Sequence, residues 1–315
     1  MSTAADTLEH LFSDRDQSSL DLTIGAPGPE ILAMLPPMFA TGTAARMDQE
    51  AESGGNLFQY GPEQGLVSYR RSLAQFLEAE YKDPVDPDCL VLTTGATNGL
   101  FVACSLLLDR NAVIFVENPT YFIALEILSK DLGFRVVPIP MTSEGIDYKA
   151  FEEKVKEEKM ISVVDSDKFW SMLYVIPNYH NPTGITYAKA TCTELLRVCQ
   201  ANNVLAFCDD VYNLLSYQEQ PASFARLKSL DSSDKGLVIS NGTFSKILAP
   251  GLRVGWLELP RRLVAAFTGS GLLLSGGSQN NYTSGLVTSL LQSGAIQEYA
   301  LLTLLANFKA AKWKN

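Results

Sequence analysis

Short apolar runs alternate with helix-like stretches through the middle of the chain. "CLVLTTG" (89–95) predicts a strand that ends in small polar residues, and "ATNGLFVACSLLLD" predicts the helix after it. "AVIFVENP" (112–119) and "FRVVPIP" (134–140) are the next strands, separated by the helical "TYFIALEILSKDLG". A charged helix, "YKAFEEKVKEEK" (148–159), precedes the strand "SMLYVIPN" (171–178), and "AKATCTELLRVCQANN" follows as a helix. "VLAFCDD" (204–210), "GLVISNG" (236–242) and "LRVGWLEL" (252–259) complete the series of strands. Strands that are apolar on both faces and separated by helices predict a buried, mostly parallel sheet of the α/β class. Sites in such sheets gather at the carboxyl ends of the strands. Thr97, Tyr121, Asn181, Asp209 and Lys246 all fall just after a strand, and each carries a different chemical group.

Each group has an ordinary reading and a functional one. "TTGAT" (93–97) is a glycine turn opening a helix, where the N–H groups of Ala96 and Thr97 could cap the helix or bind a phosphate. Asn181 lies in "NYHNPTG", a turn entering a helix, or else an amide donor aimed at a ligand. Asp209 and Tyr212 lie in "DDVY"; a carboxylate buried there needs a cation or a donor to stay charged. Lys246 lies in "NGTFSKILAPGLRVGW" (241–256), with Arg253 seven positions on. A free lysine is protonated and unreactive at neutral pH, so a nucleophilic one must be desolvated or set near other cations. Arg253 could supply that field and grip a phosphate.

Composition narrows the classes. The chain has 315 residues, 46% of them hydrophobic and only 19% charged, which is globular and enough for a large core. A net charge of −10 with no basic stripe argues against nucleic acid. No apolar run reaches the ~20 residues of a membrane span. The N-terminus shows no signal or transit pattern. Cys89, Cys104, Cys192, Cys199 and Cys208 are scattered, as reduced thiols in a cytoplasmic protein would be, and the expected metal count is none. With His10 and His180 as the only histidines, a His-centred triad is poorly supported.

The segments "GAT", "ENPTY", "PNYHNPTG", "DDVY" and "GTFSKILAPGLRVGW", with "QYGPEQG" (59–65) before them, resemble the motifs of pyridoxal-phosphate-dependent aminotransferases of fold type I. The likeness is to the class I/II group that includes 2-aminoadipate and aromatic aminotransferases. It extends to the aminotransferase-like domains of some bacterial regulators. It runs from about Leu22 to about Gly285. The resemblance implies a mostly parallel seven-stranded sheet flanked by helices. It implies transfer of an amino group from an amino acid to a 2-oxo acid, with pyridoxal 5′-phosphate as cofactor, in a homodimer with shared sites. Lys246 would hold the cofactor covalently and move the substrate proton. Asp209 would pair with the ring nitrogen, Asn181 and Tyr212 with the ring oxygen, and Tyr121 would stack on the ring. Ala96, Thr97, Thr243, Ser245 and Arg253 would hold the phosphate, and Tyr60 would reach the neighbouring subunit's phosphate. Gly25 and Asn181 would meet the substrate.

Three regions are expected: an arm with part of a small domain (1–45), a large cofactor-binding domain (46–270), and the start of a C-terminal region (271–315). After about Ala295 the sequence departs from the family pattern, and neither Arg261 nor Arg262 stands where the family's carboxylate-binding arginine does. The expectation is therefore a chain truncated within the small domain. Alternatives left open are a cofactor-binding but catalytically impaired chain and another reaction of the same cofactor, such as β-elimination.

Overall fold

The computed structural model describes residues 25, 27–162, 168–215, 226–231 and 236–300. Eight strands form one sheet in the order β1-β8-β7-β6-β5-β2-β3-β4. They are β1 (Leu90–Thr93), β2 (Leu108–Asn118), β3 (Arg135–Thr142), β4 (Gly145–Ile146), β5 (Phe169–Val175), β6 (Leu205–Asp209), β7 (Val238–Thr243) and β8 (Gly255–Glu258). Seven of these are the strands expected from the sequence, and the eighth, β4, is a two-residue return paired to β3. The pairs β3–β2–β5–β6–β7 are parallel, while β8 runs antiparallel to both β7 and β1. That reversal brings the amino end of β8, with Arg253 just before it, to the edge where the other long strands finish.

Burial on both faces explains the apolar runs. All seven residues of β5 are buried, which only a sheet covered on both sides permits. One face packs Ile114, Met172, Phe207, Ile239 and Leu257 against α3 (Ala96–Leu107). The other packs Phe115, Leu173, Ala206 and Val238 against α5 (Tyr148–Ile161) and α6 (Lys189–Asn202). At the β1–β8 edge a third cluster joins α2 (Val67–Tyr81) and α8 (Asn281–Gln292) through Leu73, Leu92, Trp256 and Leu290. Helix α1 (Leu35–Ser53) packs on α8 and runs unbroken across position 45. The "TYFIALEILSKDLG" helix is α4 (Phe122–Glu126), continued by one π-helical stretch, Ile127–Asp131. Helix α7 (Arg261–Thr268) follows β8. The C-terminal apolar run "YALLTLLANF" (299–308) lies almost wholly outside the described residues.

Local chemistry starts and stops these elements. Asp147 caps α5 by accepting from the N–H groups of Lys149 (3.0 Å) and Ala150 (3.1 Å), a contribution of ~1 kcal/mol. Asn203 ends α6 in the left-handed region, its N–H returning to Cys199 O. Among the described residues no helix is long and apolar enough to cross a membrane, and no group of three or more His, Cys, Asp or Glu could hold a metal ion.

Candidate active site

Strand alternation puts an acid at the centre of the site. Leu205 and Phe207 face α3, so Asp209 at the end of β6 faces the same way. Asp209 is only 8% exposed. Its Oδ2 accepts from the Tyr174 hydroxyl (2.8 Å) and its Oδ1 from Asn241 Nδ2 (3.0 Å). Burial pushes its pKa up to about 6, more than those two donors pull it down; the nearby Glu117 charge adds to the rise and Lys246 opposes it. A carboxylate held this way would be favoured in its charged form by a cation beside it.

Lys246 stands in the turn after β7, half-buried, with Nζ donating to the carbonyl of Gly25 (3.2 Å). Burial lowers the pKa of its ammonium, against the pull of Asp209. Tyr121 lies near the same carboxylate. Burial raises its phenol pKa first, and the charges of Asp209 and Tyr212 raise it further. The structure thus brings Asp209, Lys246, Gly25, Tyr121 and Tyr212 together.

A second group forms an anion cradle beside them. Gly95 has φ +96°, a conformation open to glycine, and turns the chain into α3. A Cβ there would sit 2.8 Å from Arg253 Nη2. Arg253 donates from Nη1 to Ser245 Oγ (3.3 Å) and from Nη2 to Thr94 O (3.3 Å). Arg253 itself has φ +50°, a strained value for a non-glycine residue. Asn280 Nδ2 clamps that bend by donating to the carbonyls of Leu252 (3.0 Å) and Arg253. Thr243 Oγ1 donates to Val254 O (3.2 Å) and accepts from Ser245 N (3.1 Å). Arginine, two hydroxyls and the first N–H groups of a twelve-residue helix suit a phosphate. Thr97 and Arg253 also line a surface depression of about 780 Å³.

The two remaining candidates are placed differently. Asn181 is half-buried on the loop after β5. Tyr60 is 81% exposed, with its ring against Gly276, apart from this cluster.

Sequence reasoning missed four residues that build the floor. Tyr174 and Asn241 sit inside runs that read as plain strand. Glu117 is 1% exposed and accepts from Ile176 N (2.9 Å), Tyr187 OH (2.5 Å) and Thr120 Oγ1 (3.1 Å). His180 Nε2 stands 3.1 Å from Glu117 Oε2, and its Nδ1 lies 2.8 Å from Thr183 Oγ1. This hub ties the loop bearing Tyr121 to the loop bearing Asn181. The available signal was alternation: Asp209 and Asn241 continue the stripes begun by Phe207 and Ile239.

Residues 37–287 match the family Aminotransferase class I and II. The chain belongs to this family. It is 30% identical over 238 residues to aromatic-amino-acid aminotransferase 1 of Thermococcus litoralis, covering 76% of this chain and 54% of that protein. Thus the chain spans about half the length of the curated relatives it matches. An α-aminoadipate aminotransferase of Thermus thermophilus, solved with N-(5′-phosphopyridoxyl)-L-leucine, is 27% identical with a TM-score of 0.68, over 89% of this chain and 67% of that one. The kynurenine aminotransferase of Pyrococcus horikoshii shares the fold at a TM-score of 0.80 and 24% identity, over 98% of this chain and 72% of that one. The fold type I architecture expected of aminotransferases is therefore the observed one.

Proposed function

We propose that the chain is a pyridoxal 5′-phosphate-dependent aminotransferase that moves an amino group from an amino acid to a 2-oxo acid. The observation that carries this is the pairing of a buried carboxylate short of a cation with a half-buried lysine, next to an anion cradle. A protonated ring nitrogen, an aldehyde and a phosphate on one molecule would satisfy all three. The family and the phosphopyridoxyl compound in the Thermus relative favour the same cofactor. The residues present fit it.

The bound cofactor supplies an electron sink for the electrons of a broken substrate bond. The protein does the rest. Lys246 Nζ would hold the cofactor, and burial enlarges its neutral, nucleophilic fraction. Lys246 Nζ would also be the base that takes the proton from the substrate Cα and returns it. Asp209 would accept from the cofactor's ring nitrogen and keep it protonated. Asn181 and Tyr212 would hydrogen-bond the ring oxygen, and Tyr121 would stack on the ring. Arg253, Ser245, Thr243 and the N–H groups of Ala96 and Thr97 grip the phosphate. Gly25, whose carbonyl accepts from Lys246 Nζ, would meet the substrate together with Asn181.

The assembly we propose is a homodimer in which Tyr60 serves the partner's phosphate. Phe58, 65% exposed, packs beside Tyr282 with ring centroids 5.8 Å apart, and Phe122 is also exposed. The Phe58–Tyr282 pair would offer apolar surface to a second copy. The region 46–270 acts as the cofactor-binding domain, flanked by 1–45 and 271–315. Five buried free cysteines suit a reducing cytoplasm. Aromatic amino acids and 2-aminoadipate are the donors to try first, with glutamate. The test is borohydride reduction after addition of pyridoxal phosphate, then peptide mapping, alongside keto-acid release from that panel. Label at Lys246 with release of a keto acid supports the reading; label elsewhere or no release removes it.

A further inference from the structure

Asn241 is 1% exposed on β7 and pairs directly across the strands with Asp209. Its Nδ2 gives one N–H to Asp209 Oδ1 (3.0 Å) and the other to the carbonyl of Ala96 (3.1 Å). An amide nitrogen has two N–H groups, and here both are used, on opposite sides of the site. One acceptor ends β6; the other opens α3. The amide oxygen, by contrast, is buried with no hydrogen-bond partner among the described residues. It lies so close to α3 that a Cβ on Gly99 would stand 2.3 Å away. An apolar side chain would fit this stripe better, since Ile239 occupies the preceding position on it. Burying an amide with one end unsatisfied is a cost that packing does not require.

We infer that Asn241 is a positioning residue that fastens the Asp209 carboxylate to the first turn of α3, so that the acid and the anion cradle keep a fixed separation. The inference rests on the cofactor reading above, in which those two ends hold one molecule at two points. A shift of about 1 Å between them would misplace the reacting bond, which can cost ~10²-fold. Gly99 belongs to the same device, because only a residue without a Cβ leaves the amide its place.

The contact also acts on the charge of Asp209. Facing that carboxylate are Tyr174 on β5, Glu117 at the end of β2, Lys246 after β7, and Tyr121 before α4. Asn241 and Tyr174 favour the ionised form as donors; burial and Glu117 oppose it. Loss of the Asn241 donor must therefore raise the pKa of Asp209 further.

The experiment follows the Asp209 carboxyl by carbon-13 NMR in cofactor-free protein, with the signal assigned by its absence in Asp209→Asn. Asn241→Leu should move the titration upward by about one pH unit, a tenfold change in proton affinity. Gly99→Ala should move it the same way while leaving Asn241 in the sequence. That second variant guards against simple misfolding, since alanine favours a helix interior over glycine. Both variants should also release pyridoxal phosphate at least about tenfold more readily in an absorbance titration. An Asp209 titration unmoved in both variants overturns the proposal. A wild-type chain that is not labelled at Lys246 overturns the cofactor reading instead, and the carboxyl titration still decides the Asn241 contact.

Discussion

The floor of the site and its rim are built on opposite terms. On the floor, Asp209, Asn241, Tyr174 and Glu117 are buried, with hydrogen bonds of 2.5–3.1 Å to neighbouring strands, loops and the start of α3. On the rim, Lys246, Arg253 and Thr97 are half-buried or exposed, and the lysine and arginine make contacts of 3.1–3.3 Å, mainly to backbone oxygens. Charge on the floor is fixed in place at the cost of desolvation. Charge on the rim is left free to meet a ligand. The difference predicts that rim variants act mainly on what binds, while floor variants act most strongly on how well bound material reacts.

The largest effect should come from the one place where rim and floor act on the same atom. Lys246 Nζ is lowered in pKa by burial and held near Asp209. Lys246→Ala is expected to abolish covalent capture of pyridoxal phosphate and to cut turnover by about 10⁴-fold, the upper range for a lost acid–base group. Borohydride trapping with mass spectrometry, and a keto-acid assay, read the two losses. Capture at another lysine would move the nucleophile elsewhere and break the comparison.

Next comes the floor. Asp209→Ala should lower turnover by roughly 10²- to 10⁴-fold, from the ~3–5 kcal/mol of a broken buried charge pair. Cofactor retention should fall much less, because the cradle at Arg253 is untouched. Without cofactor the sign reverses. Asp209 and Asp210 both have folded-state pKa values raised to about 6 from 3.8, with burial as the leading cause. The folded chain then binds their protons more tightly than the unfolded chain does. Their ionisation disfavours folding progressively from about pH 4 to about pH 6, and the penalty is complete above that. Asp209→Asn should therefore stabilise the cofactor-free chain above pH 6, by on the order of 3 kcal/mol, and have little effect near pH 4. Urea midpoints at pH 4 and 7.5 measure this; equal midpoints for wild type and variant at pH 7.5 would show that Asp209 is not strained by burial.

Arg253→Ala is a rim change of intermediate size. Charged hydrogen bonds contribute ~1.5–3 kcal/mol, so the cofactor's dissociation constant should rise by roughly 10- to 150-fold. Turnover at saturating cofactor should change less than in Asp209→Ala. Gly95→Ala should act in the same direction, since its φ of +96° and its approach to Arg253 exclude a side chain. A larger fall in saturated turnover than in affinity would place Arg253 with the floor.

The same division explains what the sequence made legible. Rim residues stand out because polar groups after apolar strands, such as Lys246 and Arg253 around "LAPG", break the pattern visibly. The strands themselves followed from runs like "SMLYVIPN", apolar enough for both faces of a sheet. Tyr174 and Asn241 escaped because one polar atom in a β-run does not disturb the alternation that defines the strand. Their role depends on which neighbouring strand lies beside them, and that is a property of topology. The reversal of β8 was equally hidden, since "VGWLEL" looks the same in either direction. Glu117 and His180 lie 63 positions apart and meet only when β2 and β5 pair.

The smallest expected effect belongs to Tyr60, and it tests whether the rim extends across two copies of the chain. Within one protomer Tyr60 is 81% exposed and rests on Gly276, so among the described residues nothing in its own site depends on its hydroxyl. A phenol donating to a neighbour's phosphate would contribute a single charged hydrogen bond. Tyr60→Phe should thus weaken cofactor retention by about tenfold, at the low end for such bonds, and leave the folded protomer unchanged. A mixed dimer separates the two settings open to this residue. Pair a Tyr60→Phe protomer with a Lys246→Ala protomer. If Tyr60 serves the partner, the intact Lys246 of the first protomer meets the intact Tyr60 of the second, and that site should retain cofactor as wild type does. If Tyr60 serves its own protomer, the only lysine-bearing site lacks the hydroxyl, and retention stays weakened. Restored retention in the mixed dimer, absent from either homodimer, is the expected result; its absence would confine the site to a single chain.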